Sequence, residues 1–120
     1  MTVLAARLDR YPNFAVDISA RLVDLAIQDS AKVRDFFIHY QDRLLFGTDV
    51  VMGQKPSSMS TAERKAAIES LRAVYQMHFD YFERAQPLLV RERKTHGLGL
   101  PPAVLEKFYL TNAKAWYPGL

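Results

Sequence analysis

The chain has 120 residues, of which 49% are hydrophobic and none is cysteine; it fits one globular domain and excludes disulfides, thiolate zinc sites and cysteine nucleophiles. Its net charge of +3 is mildly basic, and the interspersed charges argue against a nucleic-acid-binding surface. No apolar stretch approaches the roughly 20 residues of a transmembrane helix and no signal peptide is visible, so we expect a soluble, cytoplasmic protein that binds neither membranes nor nucleic acid.

The chain opens on a helical pattern. Val3, Leu4 and Leu8 lie at helical spacing, and the Tyr-Pro-Asn sequence at 11–13 predicts a turn after them. This helix has no N-cap and no first turn before it, because the chain starts within it. We therefore expect a truncated or split reading frame of a longer fold.

The next segment predicts a strand from Phe14 to Ser19 that ends in polar residues. Asp17 and Arg21 are therefore weak candidates for substrate binding, because ligands sit at the carboxyl edge of parallel sheets. The Arg21 guanidinium could bind a substrate carboxylate with two hydrogen bonds. It could equally pair with Asp17 or Asp24 at the surface, and both interpretations stay open.

A helix and a second strand follow. Ser30 can cap a helix whose apolar residues recur at i, i+3, i+4 and i+7 from Val33 and which ends near Gln41. The apolar run from Leu44 to Phe46 is typical of a strand that is buried on both faces. Strand, helix and strand in this order predict a βαβ unit with a parallel pair. Two strands cannot bury both faces alone, so the unit needs neighbours.

Gly47, Thr48 and Asp49 follow this second strand. The glycine predicts a sharp backbone turn that leaves Asp49 at the carboxyl end of the strand, where ligands and catalytic groups sit. Asp49 is therefore the first residue to suspect of chemistry. The alternative is that its side chain caps the following turn.

The second half of the chain is mostly helical. Residues 51–60 predict a surface loop, and Ser60 with Glu63 fits a capping box that starts the longest helix. Residues 87–100 predict a second, charged loop. A last helix begins at Pro101 and Pro102 and ends at the Tyr-Pro-Gly sequence of 117–119. The predicted apolar face of the long helix is Ile68, Leu71, Tyr75, Phe79 and Phe82; that of the last helix is Val104, Leu105, Phe108, Tyr109, Asn112 and Ala113.

Three separated segments resemble the amidohydrolase-related (amidohydrolase 2 type) metal-dependent hydrolases. Residues 42–49 (Asp-Arg-Leu-Leu-Phe-Gly-Thr-Asp) resemble the last barrel strand, and 10–21 resemble the seventh strand and its approach. Residues 97–113 are similar to the closing helix. The resemblance implies an α/β fold, the carboxyl-terminal part of a (β/α)8 TIM-type barrel. The chain would be a single partial domain over 1–120, with the last two parallel strands and closing helices, because a whole barrel takes about 250 residues.

The resemblance also implies a function. Members of the family hydrolyse C–N, C–O or other bonds of small molecules, and some relatives decarboxylate aromatic or unsaturated acids. The matching aspartate binds a divalent metal, zinc or manganese, and accepts a proton from the metal-bound water, a catalytic and metal-binding role that falls on Asp49.

The chain departs from the family in its metal ligands. The His-x-His pair after the first strand and the later histidines have no counterpart. His39 is interpreted as a surface residue and His78 as a packing residue, while His96 lies in a loop that could reach a site. A catalytic zinc usually has three protein ligands. We expect the chain alone to bind no metal and to be inactive without the missing strands. Its partner could be a complementing barrel fragment, or the chain could self-associate through its exposed strand edges.

Two other hypotheses stay open. The chain could be a non-catalytic interaction protein that keeps the βαβ scaffold and binds a partner through exposed apolar faces. It could also be a small doubly wound domain with Asp49 as a switch or phosphate-site residue, although no phosphate-binding glycine loop is present.

Overall fold

A computed structural model describes residues 1–51, 53, 55–117 and 119, which form a mixed α/β structure. None of the helices in these ranges is long and apolar enough to cross a membrane. The elements are α1 (Thr2–Arg10), β1 (Val16–Asp17), α2 (Leu22–Ala26), α3 (Ser30–His39), β2 (Leu44–Leu45), a 3₁₀ turn (Pro56–Ser58), α4 (Thr61–Glu83), β3 (Pro87–Val90), β4 (Arg93–His96), α5 (Pro102–Glu106), a π-helical turn (Lys107–Thr111) and α6 (Asn112–Trp116).

The predicted βαβ unit is present. β1 pairs with β2 in parallel, with Val16 opposite Leu44 and Asp17 opposite Leu45, and α2 and α3 form the connection. The backbone N–H of Ile18 extends the ladder by donating to the Leu45 carbonyl at 3.1 Å. Both strands are shorter than the apolar runs that predict them. Both residues of β2 are buried, as expected for a strand covered on both faces.

The last helical segment, made of α5, the π-helical turn and α6, covers the edge of β2 that faces away from β1, its far edge. The buried Asn112 amide donates to the carbonyls of Leu44, at 2.8 Å, and Gln41, at 2.7 Å. The Phe46 N–H donates to the carbonyl of Phe108 at 3.2 Å. Successive backbone groups of a strand point to opposite edges, so these groups face away from β1. A helix therefore satisfies this edge of the sheet, where a further strand would otherwise pair.

The π-helical turn makes this contact possible. The sequence predicts one continuous last helix, whereas the structure has a π-helical turn between α5 and α6. In this turn the Asn112 N–H donates to the carbonyl of Lys107, five residues back. In an α-helix it would donate to the carbonyl of Phe108. That carbonyl instead accepts from the Phe46 N–H of the strand. Local insertions of this kind are often found at functional or structurally constrained positions.

The centre of the core is aromatic. Phe37 of α3, Phe82 of α4 and Phe108 of the π-helical turn are almost fully buried, and their ring centroids lie 4.9 to 5.3 Å apart. Such edge-to-face and tilted pairs add roughly 0.5–1.5 kcal/mol each beyond the area that they bury. Phe46, directly after β2, packs on the same group, 5.6 Å from Phe108. The core thus ties the strand to the long and last helices.

The two helix starts differ in how well the sequence predicts them. The capping box of α4 is confirmed: Ser60 N–H donates to the Glu63 carboxylate at 2.7 Å, and Glu63 N–H donates to the Ser60 hydroxyl at 3.3 Å. These contacts hold the pKa of Glu63 below its usual value. The predicted cap of α3 is wrong. Asp29, not Ser30, is the N-cap, and its carboxylate accepts from Lys32 N–H at 2.9 Å.

The apolar face predicted for α4 is buried only in its second half. Phe82 is buried and Phe79 half-buried, whereas Ile68, Leu71 and Tyr75 are 49%, 36% and 37% exposed. The helix has 23 residues and is therefore about 35 Å long. The apolar side chains of its first four turns are therefore only partly covered by the described residues, among them Phe46 and Phe79, whose rings pack against Tyr75.

The predicted loop over 87–100 is wrong in its first part. β3 and β4 form an antiparallel hairpin in which Val90 lies opposite Arg93 and is fully buried. Arg91, at φ 54°, provides the positive φ that a two-residue hairpin turn requires. The other predicted loop, 51–60, contains only a short 3₁₀ turn among its described residues. Met52 and Gln54 of that loop, and Pro118 of the predicted helix end, lie outside the described residues.

We predict that Asn112→Ala destabilises the fold by about 2 kcal/mol or more. The substitution leaves the buried Leu44 carbonyl and the partly buried Gln41 carbonyl without their side-chain donor, and an unsatisfied buried group costs about 1–3 kcal/mol. Urea unfolding followed by circular dichroism measures the change. The matched control is Asn13→Ala at an exposed turn position, which should stay within about 0.5 kcal/mol of the parent. Equal stability of both variants would mean that the last helix does not hold β2.

Candidate functional site

The carboxyl ends of β1 and β2 meet at Gly47. The Ser19 N–H donates to the Asp17 carboxylate at 2.6 Å, which folds the chain after β1 back on itself. A Cβ added at Gly47 would overlap the Ser19 hydroxyl and lie 2.7 Å from Asp17 Oδ1. The two strand ends are therefore in direct contact, and only a residue without a side chain fits between them.

The reason for a glycine at this position differs from the prediction. Gly47 is not among the residues with positive φ; those at this edge are Asp49, at φ 54°, and Ala20, at φ 59°. A glycine is thus required at position 47 because Asp17 and Ser19 approach it closely. The left-handed backbone conformations lie instead at Ala20, after β1, and at Asp49, after β2. A left-handed aspartate is tolerated because its side chain is short and polar.

Asp49 is exposed and lines a cavity of about 290 Å³. Apolar side chains of α2 and α4, with Val50, form much of its wall. The polar side chains that line it are those of Thr48, Asp49, His78 and Arg91. The cavity therefore collects groups from the end of β2, from α4 and from the β3–β4 turn.

Arg21 and Asp17 do not line the cavity that contains Asp49. Both line a second cavity of about 160 Å³, bounded by α1, α2 and α3. The Arg21 guanidinium pairs with the Asp24 carboxylate at 3.2 Å, and both side chains are more than half exposed. Such an exposed pair contributes little to stability. Of the two interpretations of Arg21, the surface pairing with Asp24 is present.

His78 is buried, 4% exposed, and its Nδ1 lies 2.7 Å from the Val74 carbonyl. Its ring packs edge-on against Phe46 at 5.8 Å. The predicted packing role is confirmed, as is the surface position of His39. Sequence reasoning missed that His78 also lines the Asp49 cavity. No local signal marks it, because the approach depends on how α4 crosses the end of β2.

The described residues do not fit a complete metal centre. Within them, no group of three or more histidine, aspartate or glutamate side chains is arranged to hold a metal ion. Asp49 and His78 are the side chains of metal-ligating type on the cavity wall. A catalytic zinc site usually has three protein ligands, so two residues leave the set short. Of the metal ligands that the amidohydrolase resemblance implies, the candidate carboxylate of Asp49 is present but the expected set of histidines is not found among the described residues.

The comparisons with known proteins give one match. A family model described as Amidohydrolase matches residues 2–119, which confirms the resemblance seen in the three sequence segments. No curated protein and no solved structure matches the chain.

We predict that Gly47→Ala destabilises the fold by about 1–2 kcal/mol, because the new methyl group displaces Ser19 and its hydrogen bond to Asp17. Chemical unfolding measures the loss, and Ser19→Ala in the same chain should recover part of it. The control is Gly53→Ala, since nothing lies within 4 Å of a Cβ at Gly53. A Gly47→Ala chain as stable as the Gly53→Ala chain would contradict the close approach of the strand ends.

Proposed function

The chain belongs to the amidohydrolase family, and from this we propose that it carries the carboxyl-terminal part of an amidohydrolase-type site, with Asp49 as the catalytic carboxylate. The reaction is attack of water on a C–N or C–O bond of a small molecule, or the related decarboxylation. The observation that carries the proposal is the position of Asp49, at the carboxyl end of β2 and on a cavity wall.

Asp49 would act as the general base. Its carboxylate accepts the proton of the attacking water as the new bond to carbon forms. A base that is open to the cavity can reach both water and substrate. The family is generally metal-dependent, and zinc or manganese is the expected ion of the complete fold. Because the described residues leave the ligand set short, no step is assigned to a metal.

We further propose that β1 and β2 are the last two strands of a (β/α)8 barrel. Their parallel pairing and the helical crossover between them suit such a barrel. β1 has a sheet neighbour on one side only among the described strands, so a complementing strand could add there. The far edge of β2 is different, because Asn112 and Phe108 already bond to it. Closure at that edge would require the last helix to move away.

A second candidate function is a non-catalytic interaction protein. Ile68, Leu71 and Tyr75 support it, since they form a partly exposed apolar row along the first four turns of α4. Contiguous apolar surface of this kind often marks a protein contact. This candidate needs no base at the end of β2, and it therefore predicts no chemical role for Asp49.

The test uses a fusion in which residues 2–119 replace the corresponding part of a complete amidohydrolase-family enzyme. We predict that Asp49→Asn lowers kcat of the fusion by about 10²-fold or more, because an amide cannot accept the proton. Steady-state kinetics on the substrate of the parent enzyme measures the loss. Asp35→Asn, at an exposed position of α3, is the matched control and should keep full activity.

Two results would contradict the proposal. One is an Asp49→Asn fusion with the kcat of the unmodified fusion. The other is an unmodified fusion that unfolds cooperatively, like the parent enzyme, yet has no activity.

A further inference from the structure

The outer edge of β4 carries backbone groups that pair with no other described strand, since β4 pairs with β3 alone. Next to this ladder, the Gly97 N–H donates to the Gln86 carbonyl at 2.9 Å. Hydrogen-bonded and non-hydrogen-bonded positions alternate along an antiparallel pair. Counting back from Gly97, the N–H and carbonyl groups of His96 and Lys94 therefore point away from β3. Pro87, opposite His96, agrees with this register, because proline has no N–H for the ladder.

A groove of about 550 Å³ runs along this edge. Its walls are three consecutive residues of β4, Arg93, Lys94 and Thr95, and the connection from α2 to α3, residues 26–30. Consecutive side chains of a strand point to opposite faces of the sheet. A groove that touches all three residues therefore lies beside the strand rather than over one of its faces. The outward backbone groups of Lys94 thus face the groove.

The β4 side of the groove is cationic. Arg93 and Lys94 are exposed, and neither forms a salt bridge within the part of the chain that the structure describes. On the opposite wall, the Asp29 carboxylate already accepts from the Lys32 N–H at 2.9 Å. The Ile27 side chain of that wall is 58% exposed. The complement of the groove is therefore an extended segment that carries acidic side chains beside β4 and an apolar side chain beside Ile27.

A second copy of the chain does not supply this complement through the same edge. Antiparallel pairing of two β4 strands would place the cationic residues 93 and 94 of the two copies near one another. Like charges on facing positions of paired strands are destabilising. Lysine on an edge strand is also a common means of preventing such pairing. The edge is thus protected against its own copy and open to a strand of opposite charge.

We propose that β4 binds an extended acidic peptide segment as a third strand of the hairpin. The backbone of the segment pairs with Lys94 and His96, and its carboxylates face Arg93 and Lys94. In strand addition the backbone bonds supply affinity, whereas side-chain contacts and charges select the partner. This inference goes beyond the proposed function and does not rest on Asp49, which lines a different cavity.

The test is an NMR titration of the isotope-labelled 120-residue chain with the blocked peptide acetyl-Val-Glu-Glu-Val-Thr-Val-amide. We expect saturable shifts of the Lys94 and His96 amides. Their hydrogens should exchange with solvent at least about tenfold more slowly at saturation, because they enter hydrogen bonds with the added strand.

Two changes to the peptide separate its charge from its backbone pairing. Glutamine in place of both glutamates keeps the shape without the charge and should raise Kd about fivefold, as expected for two exposed ion pairs. Peptides that are N-methylated at alternate residues each block one edge of the added strand. One of the two such peptides should lose binding and the other should keep it, because only one set of N–H groups faces β4.

Variants of the chain test the same contacts. Lys94→Pro removes an outward N–H and no bond of the β3–β4 ladder, so it should abolish saturable binding while the Val90 methyl shifts stay those of the folded hairpin. Lys94→Gln combined with Arg93→Gln removes only charge and should raise Kd about fivefold. The matched control is Arg7→Gln combined with Lys114→Gln, two exposed cations outside the groove, which should leave Kd unchanged.

Four results would overturn the inference. The first is the absence of saturable shifts, and the second is binding that leaves the Lys94 and His96 amides unprotected. The third is an equal Kd for the glutamate and glutamine peptides. The fourth is a dimer of the free chain, detected by sedimentation equilibrium, in which these two amides are already protected, because the edge would then be paired with its own copy.

Discussion

The structure depends on the hydrogen bonds made by the backbone groups of β2 that face away from β1. A buried strand needs a partner for every backbone group, because an unpaired one costs about as much as a lost hydrogen bond. Here the partners of Leu44 and Phe46 are the Asn112 amide and the Phe108 carbonyl. A side chain and a π-helical turn thus replace a neighbouring strand. This arrangement lets a two-stranded parallel sheet be covered on an edge that would otherwise stay open.

The same contacts position the candidate site. Phe46 is fixed through its N–H by the last helix and through its ring by the aromatic core. Asp49 lies three residues further on, and His78 of α4 packs directly against the Phe46 ring. The position of the cavity wall therefore follows from the core rather than from the loop after β2. Movement of the last helix, which barrel closure at β2 would require, would be transmitted to Asp49 and His78.

Patterns of apolar residues along the chain correctly predicted the features that depend on local burial and chain order. The buried run at Leu44, the parallel pair and the place of Asn112 on the packing face of the last helix follow from burial, chain order and helix spacing, and all three are observed. The sequence analysis missed the β3–β4 hairpin because the charged residues 91–94 resemble a solvated loop. In the structure the hairpin packs onto the core through Val90, which is fully buried. The place of His78 beside the Asp49 cavity depends on tertiary packing, which no spacing along the chain encodes.

Calorimetric titration of the chain with zinc and manganese, beside Asp49→Ala, tests most directly the central claim that these residues hold only part of a family site. The account predicts no tight binding and no difference between the two proteins, because Asp49 and His78 fall short of a ligand set. Tight binding that Asp49→Ala abolishes would contradict it. The chain would then assemble a metal centre without the family's other histidines.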